Sequence, residues 1–419
     1  MSLQSREEIR QAVSEAVQNQ PITDVHTHLY SANFGDLLLW DIDELLTYHY
    51  LVAEVMRWSD IAPEDFWKLT KQEQAEHIWQ HLFLDRTPVS EAGRGVLNAL
   101  KELGFDPGTK DLKSYREELA KRSTSEQIKD VLERANISNV VMTNDPFDEK
   151  ERAVWESGKK AEAPFHAVLR LDPLLNDYGN TKLKLREWGY DLSDEWNDQS
   201  IKETQRFLED WIGKMNPLYM AVSLPPTFAF PEDSDRGRII RDCILPLGRK
   251  HNIAFAMMIG VKKQVNPALG DAGDFVGKAD ISAVQNLLSE FPQNKFLVTM
   301  LSRENQHELA VLARKFRNLM VFGCWWFMNN PVITNEITRM RMEMLNTSFI
   351  PQHSDARVLE QVIYKWKHTR LMLTDVLTDK YADIAETGWK IEKEAIEKDV
   401  KDLLHQNFWR FIEKDFTKL

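Results

Sequence analysis

The sequence is poor in the residues that cross-link a chain or anchor it in a membrane. Cysteine occurs only twice in 419 residues, as Cys243 and Cys324, each among apolar neighbours. A disulfide framework is therefore not expected, and a reducing, cytoplasmic location is. No apolar run reaches the roughly 18–20 residues that a membrane-spanning helix needs. The charged segment 5–10 also lacks the apolar core of a secretory signal.

Basic residues are also fewer than acidic ones. The chain has 53 Lys and Arg against 65 Asp and Glu, a net charge of −12. This balance disfavours nucleic acid and anionic membrane surfaces as partners. A small anionic substrate is not excluded, because two or three arginines make a single pocket locally positive. Homo-oligomer formation is left open by the composition.

What the sequence does contain is a regular alternation of short apolar runs with longer amphipathic stretches. Most of the runs lack hydrophobic alternation, as expected of parallel strands that are buried on both faces. Eight strands with long crossovers predict a closed (β/α)₈ barrel of the TIM type; an open doubly wound sheet is the alternative, but its Gly-rich phosphate turn is absent. The predicted strands are 22–28, 139–143, 165–171, 218–223, 254–260, 295–301, 319–324 and 348–354.

The first crossover is much longer than the others. About 110 residues separate the first two strands, whereas an ordinary βαβ unit takes roughly 30. Residues 31–130 are helical in pattern and rich in aromatics, which predicts an insertion that caps the barrel mouth. The predicted barrel domain is then 1–30 together with 131–419. Its helices include 201–215, 281–290, 304–316 and 333–345, and a helical end over 357–419 is expected to pack outside.

His26 and His28 stand at the end of the first predicted strand, in the run Asp24-Val25-His26-Thr27-His28. Residues i and i+2 of an extended chain face the same way, so the two imidazoles project together. Such a pair on the rim of a barrel suits a divalent metal. The alternative is that both are ordinary surface or core histidines.

Asp355 ends the last predicted strand, in His353-Ser354-Asp355-Ala356-Arg357. The last strand of a barrel lies beside the first, so this carboxylate is expected at the same metal as His26 and His28. Two His and one carboxylate leave open coordination positions, as in catalytic sites. The alternative for Asp355 is the N-cap of the following helix. His353 alternates away from Asp355 and is expected in the core or behind the ligands.

This pair of motifs resembles the amidohydrolase superfamily, and further motifs narrow the resemblance to the uronate isomerase family, in particular its bacillar branch. The similarity covers nearly the whole chain. Its motifs are Thr47-Tyr48-His49-Tyr50, Arg170-Leu171-Asp172-Pro173, Arg303-Glu304-Asn305, Gly323-Cys324-Trp325-Trp326-Phe327 and Ser354-Asp355-Ala356-Arg357.

The chain departs from a typical amidohydrolase at three strand ends. The fourth strand ends in Ala221-Val222-Ser223-Leu224, the fifth carries Met257 and Met258, and the sixth ends in Ser302-Arg303. The bridging lysine and the histidines of a second metal are therefore missing. The resemblance and the ligand set together imply one divalent metal ion, with zinc expected, and chemistry other than ordinary amide hydrolysis.

The expected reaction converts an aldose uronate to its ketose through a cis-enediol: D-glucuronate to D-fructuronate, D-galacturonate to D-tagaturonate, or both. Asp355 would hold the metal and move a hydroxyl proton. An arginine favours ionisation of a neighbouring phenol, so Tyr50 with Arg357 is a candidate proton-shuttling pair, as the family comparison also implies. Packing is the alternative for Tyr50.

His49 and Arg170 are the candidates for contacts with the sugar and its carboxylate, since a guanidinium binds a carboxylate bidentately. A structural salt bridge with Asp172 or Asp145 is the alternative for Arg170. Arg303 is a weaker candidate of the same kind. Trp325, or its neighbour, is a candidate for packing on the sugar, with core packing as the alternative.

Two rival functions remain at this point. One is a mononuclear metal-dependent hydrolase or decarboxylase of a sugar-acid-like substrate, with Asp355 as general base to a metal-bound water. The other is a non-catalytic relative that binds sugar acids. The missing histidines count against the first, and the intact ligands and Tyr50 count against the second.

Overall fold

The computed structural model describes residues 2–3 and 5–418 as an α/β fold with mainly parallel strands. The strands are Ser2–Leu3 (β1), Ile22–Asp24 (β2), Ile137–Val141 (β3), Phe165–His166 (β4), Leu169–Arg170 (β5), Tyr219–Leu224 (β6), Ala254–Ile259 (β7), Val261–Lys262 (β8), Phe275–Val276 (β9), Phe296–Met300 (β10), Leu319–Val321 (β11) and Ile391–Glu392 (β12).

The first half of the helices runs as far as residue 187. These helices are Arg6–Asn19 (α1), Ile42–Leu46 (α2), His49–Val55 (α3), Pro63–Phe66 (α4), Lys71–Trp79 (α5), Glu91–Glu102 (α6), Leu112–Leu119 (α7), Thr124–Ala135 (α8), Glu149–Glu156 (α9), Asp172–Asn176 (α10) and Tyr178–Glu187 (α11).

The remaining helices follow between the later strands and at the C-terminal end. They are Asp198–Met215 (α12), Asp235–Ile239 (α13), Leu245–Lys250 (α14), Ser282–Glu290 (α15), Gln306–Ala313 (α16), Pro331–Leu345 (α17), Gln361–Glu386 (α18), Lys393–Lys401 (α19) and Asn407–Glu413 (α20). None of the helices within these described residues is both long and apolar enough to cross a lipid bilayer.

Two parallel sheets carry the predicted strands. One has the order β11-β10-β7-β6-β5 and the other β2-β3-β4. In the larger sheet Phe296 pairs with Phe255 of β7 and with Leu319 of β11. All residues of β7 and β10 are buried. This explains their continuous apolar sequence, because helices cover both faces of such strands.

Backbone hydrogen bonds continue between the two sheets. The Arg170 amide donates to the Asn144 carbonyl at 2.9 Å, and the Asn144 amide donates to the Val168 carbonyl at 3.0 Å. On the other side, the Asp355 amide donates to the His26 carbonyl at 3.2 Å. The segment that ends in Asp355 is thereby attached directly to the chain that follows β2.

The predicted eighth strand is the one that the structure does not assign. Within 348–354 only Ile350 forms a bridge, parallel to Phe322, with the Ile350 amide 3.0 Å from the Val321 carbonyl. Pro351 follows and has no N–H to donate, so a regular ladder cannot continue. The predicted strand 165–171 is also interrupted, into β4 and β5.

Local sequence explains where the helices begin and end. Ser123 and Glu126 form a capping box at the start of α8, and Asn136 ends it in the left-handed conformation directly before β3. Pro331 stands in the first turn of α17, where its missing N–H costs nothing, and the Asn330 side chain caps that turn. The helix therefore starts before the predicted 333.

Residues 31–130 are mostly helical, as the pattern predicts, and hold α2 to α7 and the first part of α8, which continues to Ala135. The long helix α18 packs against α1, α6, α8 and α17. After β7 the chain forms the β8–β9 hairpin, whose turn at Pro267–Gly273 contacts α3 and α4. The Trp67 indole donates to the Ala268 carbonyl at 2.9 Å. The limits of the two predicted domains stay a prediction.

Candidate active site

The structure brings His26, His28 and Asp355 together. Two backbone hydrogen bonds hold the segments: Asp355 donates to the His26 carbonyl at 3.2 Å, and His28 donates to the Ala356 carbonyl at 2.7 Å. Asp355 Oδ1 then lies 3.5 Å from His26 Nε2 and 3.4 Å from His28 Nε2. Asp355 has a φ of 53°, a left-handed conformation that aspartate tolerates better than most residues. This backbone twist is part of what turns the carboxylate toward the imidazoles.

The donor set fits a divalent metal ion. One ligand atom from each of the three residues lies within 4.8 Å of the others. Both ring nitrogens of His26 and the Oδ1 atom of Asp355 are buried without a hydrogen-bond partner. Leaving buried polar atoms unpaired costs about 1–3 kcal/mol each, so their convergence on one point has a functional explanation. Two imidazoles and one carboxylate are the ligands of an open zinc site.

Burial and neighbouring groups together determine the protonation states of His28 and Asp355. Burial lowers the pKa of His28 to about 3, and the nearby Arg357 adds to this, so the imidazole is neutral and its lone pair is available. Burial alone would raise the pKa of Asp355, but its interactions with His26 and His28 outweigh this effect and hold the pKa well below the usual range. The carboxylate is therefore ionised at neutral pH. Neutral imidazole and ionised carboxylate are the forms that bind metal.

Asp24 lies behind the group formed by His26, His28 and Asp355. Its fully buried carboxylate accepts hydrogen bonds from the Ser354 amide at 2.9 Å and the Trp366 indole at 2.8 Å, and burial raises its pKa to about 6. It therefore ties β2 to the residue before Asp355 and to α18.

His353 is buried behind His26, with ring centroids 5.0 Å apart, in the place expected for it. A Cβ at Gly323, where φ is 68°, would lie 2.0 Å from the His353 ring.

The three residues line one cavity with several other predicted site residues. His49, Arg170, Trp325 and Arg357 all reach it, in agreement with the sequence analysis. Trp325 is buried there and packs against the neighbouring indole. Trp326, the neighbour named with Trp325, also lines the cavity. The wall further contains residues to which the sequence analysis gave no role: Tyr48, Ser223, Met258, Val261 and Lys263. Ser223 and Lys263 stand directly at strand ends, and that position was the available signal.

The two phenols of the Tyr48-His49-Tyr50 run differ in their position relative to the cavity. Tyr48 forms part of the cavity wall, whereas Tyr50 packs behind it with ring centroids 4.9 Å apart. Burial raises the pKa of Tyr50 well above 10, and the neighbouring Tyr48 and Asp355 raise it further. The groups that act most strongly on the Tyr50 phenol all raise its pKa, and the pairing of Tyr50 with Arg357 stays a prediction. Arg357 acts to lower the pKa of Tyr48, although burial is the larger effect and raises the pKa of that phenol.

Each cation of the cavity has a carboxylate partner. Arg170 binds Asp172 through Nε at 2.8 Å and Nη2 at 3.0 Å, so the salt bridge that the sequence left as an alternative does form. It does not remove Arg170 from the cavity. Arg357 makes a looser contact with Asp271, at 3.4 Å, in the turn after β8.

Lys263 is the third cation, and its Nζ lies 2.7 Å from Asp274 Oδ2. The same ammonium stands 5.7 Å from the centre of the Trp326 ring. Because Asp271 and Asp274 both belong to the β8–β9 hairpin, this hairpin carries the counter-charges for two of the three cations.

Arg303, like Tyr50, is a predicted site residue that does not line the cavity. Its guanidinium forms a bidentate pair with Glu336 of α17, at 2.8 and 3.1 Å, and its side chain is 59% exposed. The Ser302 hydroxyl accepts from the Glu304 amide and starts a short 3₁₀ turn at Arg303. This turn directs Arg303 outward, so its predicted contact with substrate is not supported.

The chain was compared with protein families, curated proteins and solved structures. No protein-family model and no curated protein matches the chain. Among solved structures, a uronate isomerase from Bacillus halodurans C-125 is 66% identical, with a TM-score of 0.98 over 100% of this chain and 99% of that one.

Two more distant structures share the fold. A glucuronate isomerase from Caulobacter crescentus is 15% identical, with a TM-score of 0.78 over 97% of this chain and 94% of that one. A uronate isomerase from Thermotoga maritima is 17% identical, with a TM-score of 0.73 over 96% and 97%. The full-length match at 66% identity, with a site built from the residues that carried the resemblance, shows that the chain belongs to the uronate isomerase family.

Proposed function

We propose that this chain is a uronate isomerase that interconverts an aldohexuronate and the corresponding ketohexuronate. D-glucuronate with D-fructuronate and D-galacturonate with D-tagaturonate are the candidate pairs. The observation that carries the proposal is one cavity in which the His26, His28 and Asp355 group stands beside Arg170 and Arg357. A sugar acid needs a cation for its carboxylate, and a carbonyl shift needs groups that move protons. Both are present on the same wall.

The proposed cofactor is one divalent metal ion, zinc, held by His26 and His28 through Nε2 and by Asp355 through Oδ1. When bound, it would act as a Lewis acid toward substrate oxygens. A second ion is not proposed, because the described residues contain no other comparable group of three ligands. The residues at the end of β6 and β7 that line the cavity, Ser223 and Met258, also offer no imidazole or carboxylate.

The barrel architecture belongs to the proposal as well. We propose that eight segments close into one (β/α)₈ barrel, in the order β2, β3, β4–β5, β6, β7, β10, β11 and 348–356. Support comes from backbone hydrogen bonds at the two junctions between the sheets, by Arg170 with Asn144 and by Asp355 with His26. A barrel of this kind carries its site at the carboxyl ends of the strands, where His28 and Arg170 stand.

The proton transfers are assigned to side chains. In an aldose–ketose shift a base takes the proton from carbon 2, a cis-enediol forms, and carbon 1 receives a proton. We assign the carbon 2 proton to Tyr50 acting with Arg357, and the proton of a substrate hydroxyl to Asp355. Because burial raises the pKa of Tyr50, its phenol holds its proton as it stands. Its role as a base therefore requires positive charge to approach it as substrate binds.

Tyr48 is the matched comparison for this assignment. It belongs to the same run, is buried, and lies on the cavity wall within the influence of Arg357. Replacing either tyrosine by phenylalanine keeps the ring and removes only the hydroxyl. The pair of variants therefore asks which phenol carries the proton without changing the packing between the two rings.

The deciding experiment is carbon NMR of hexuronates incubated with the protein. Ketose signals from glucuronate or galacturonate are expected, with carbon count conserved. Free carbon dioxide or shorter fragments would indicate the rival decarboxylase or hydrolase. Unchanged spectra for both epimers, from folded and zinc-loaded protein, would contradict the proposed isomerisation.

A further inference from the structure

Thr143 is a buried residue just beyond β3 that has no role so far. Its side chain is almost inaccessible, with 2% of the residue exposed. Its hydroxyl oxygen lies 2.9 Å from the Thr27 carbonyl oxygen and 2.9 Å from His28 Nδ1. The hydroxyl therefore bridges the backbone and the ring of two consecutive residues in the metal-ligand segment.

The hydroxyl has a single proton for two possible acceptors. If that proton points to the Thr27 carbonyl, the oxygen of Thr143 accepts from an N–H on His28 Nδ1, and both hydrogen bonds form. If it points to Nδ1 instead, the Thr27 carbonyl loses its donor. Thr27 is fully buried, and no backbone N–H in 2–3 or 5–418 donates to its carbonyl oxygen. The first arrangement satisfies one more buried group and is favoured for that reason.

We infer that Thr143 is a positioning residue that fixes His28 as the Nδ1–H tautomer and so keeps the Nε2 lone pair directed at the metal position. The inference rests on the metal site proposed above. His28 Nε2 is the ring nitrogen that faces Asp355 Oδ1, at 3.4 Å. A neutral imidazole with its proton on Nδ1 presents Nε2 as an acceptor, which is the form that binds a cation.

Of the two histidines, only His28 has a hydrogen-bond partner of this kind. Both ring nitrogens of His26 are without hydrogen-bond partners, whereas His28 Nδ1 has Thr143. His26 is also the more enclosed ring, with 1% of its side chain exposed against 19% for His28. Packing therefore holds His26, and the hydrogen bond that His28 Nδ1–H donates to Thr143 holds the ring that is freer to rotate. Such partners of metal-binding histidines typically contribute 10- to 100-fold in metal affinity.

The test is zinc affinity, measured on the purified full-length protein by competition with a chromophoric chelator. Thr143→Val is nearly isosteric and removes the hydroxyl, so a loss of about 10- to 100-fold is expected. Thr143→Ser keeps the hydroxyl and should recover most of the affinity. Thr378→Val is the matched control, because Thr378 is fully buried and its hydroxyl donates to the Thr374 carbonyl at 2.6 Å, within α18. It should bind zinc like the wild type.

The outcomes separate this inference from the proposed function. Equal zinc affinity in Thr143→Val and Thr378→Val would overturn the role of Thr143 and leave the metal site standing. A wild-type chain that binds no zinc would overturn the metal site and this inference with it. Zinc binding without isomerase activity would contradict only the proposed reaction.

Neutron diffraction of deuterium-exchanged wild-type crystals tests the proton directly, even if Thr143→Val does not fold. A deuteron on His28 Nδ1 and a Thr143 deuteron directed at the Thr27 carbonyl are expected. A Thr143 deuteron directed at Nδ1 would overturn the assignment.

Discussion

Arg170→Met is the substitution that tests carboxylate recognition most directly. The guanidinium lines the cavity but uses Nε and Nη2 for Asp172, at 2.8 and 3.0 Å. Its Nη1 group has no acceptor among residues 2–3 and 5–418, so it is available for a substrate carboxylate. Methionine keeps an unbranched apolar stem and removes every donor. The change therefore deletes the contact with little loss of packing.

The magnitude follows from the kind of bond that is lost. A hydrogen bond to a charged group contributes about 1.5–3 kcal/mol. At 1.4 kcal/mol for each factor of ten, kcat/KM for a hexuronate should fall about 10- to 150-fold. Asp172 adds to the loss, because without Arg170 its uncompensated charge faces an anionic substrate. The upper part of this range is therefore expected, and the double variant with Asp172→Asn should recover part of it.

The assay compares glucuronate and galacturonate with the corresponding neutral aldoses. Arg170→Met should lose activity on the acids, while any activity on the neutral sugars gains nothing comparable. Arg303→Met is the matched control, since Arg303 also forms a bidentate pair with a carboxylate, from Glu336, but lies outside the cavity. It should retain kcat/KM. Wild-type kinetics in a folded Arg170→Met protein would refute the reasoning and make Arg170 a structural residue.

Three further outcomes are expected. Elemental analysis should find about one zinc ion per chain, lost in Asp355→Ala, and a tightly held pair of ions would contradict the ligand set. Tyr50→Phe and Arg357→Lys should each lower kcat about 10²–10⁴-fold, more than they change KM, and their losses should not multiply; if Tyr48→Phe shows the large loss instead, the two phenols exchange roles. Burial raises the pKa of Glu360 to about 7 from 4.5, so the folded state holds this proton more tightly and loses up to about 3 kcal/mol of stability as pH rises from 4.5 through 7. In Glu360→Gln the decline in urea-unfolding free energy between pH 5 and 8 should be shallower, and parallel pH profiles would contradict the assignment.

The proposed metal ligands His26 and His28 could be brought together from the sequence because local geometry determines their relative position. An apolar strand followed by His26-Thr27-His28 places two imidazoles on one side, and the structure has their ring centroids 5.4 Å apart. Asp355 could be added only by assuming that the last strand returns to the first. The hydrogen bonds that join Asp355 to His26 agree with that assumption, although Pro351 prevents a regular strand there.

Arg303 and Tyr50 mark the limit of such reasoning. Both stand in motifs that carried the resemblance, yet a 3₁₀ turn after Ser302 directs Arg303 to Glu336. In the helix that begins at His49, the side chain of Tyr48 reaches the cavity and that of Tyr50 packs behind it. A motif specifies which residues are present near a strand end. The rotation of a turn or of a first helical residue decides which of them reach the cavity.

The sequence by itself determined the alternation of strands and helices, the helical stretch at 31–130, and the presence of two histidines and a carboxylate at strand ends, because each depends on residues close together in the chain. Only the tertiary structure decided the pairing of Arg357 with Asp271 and of His28 with Thr143. The partners in these two pairs lie 86 and 115 residues apart. Partners this distant meet only when the backbone hydrogen bonds between parallel strands have set the register of the whole sheet.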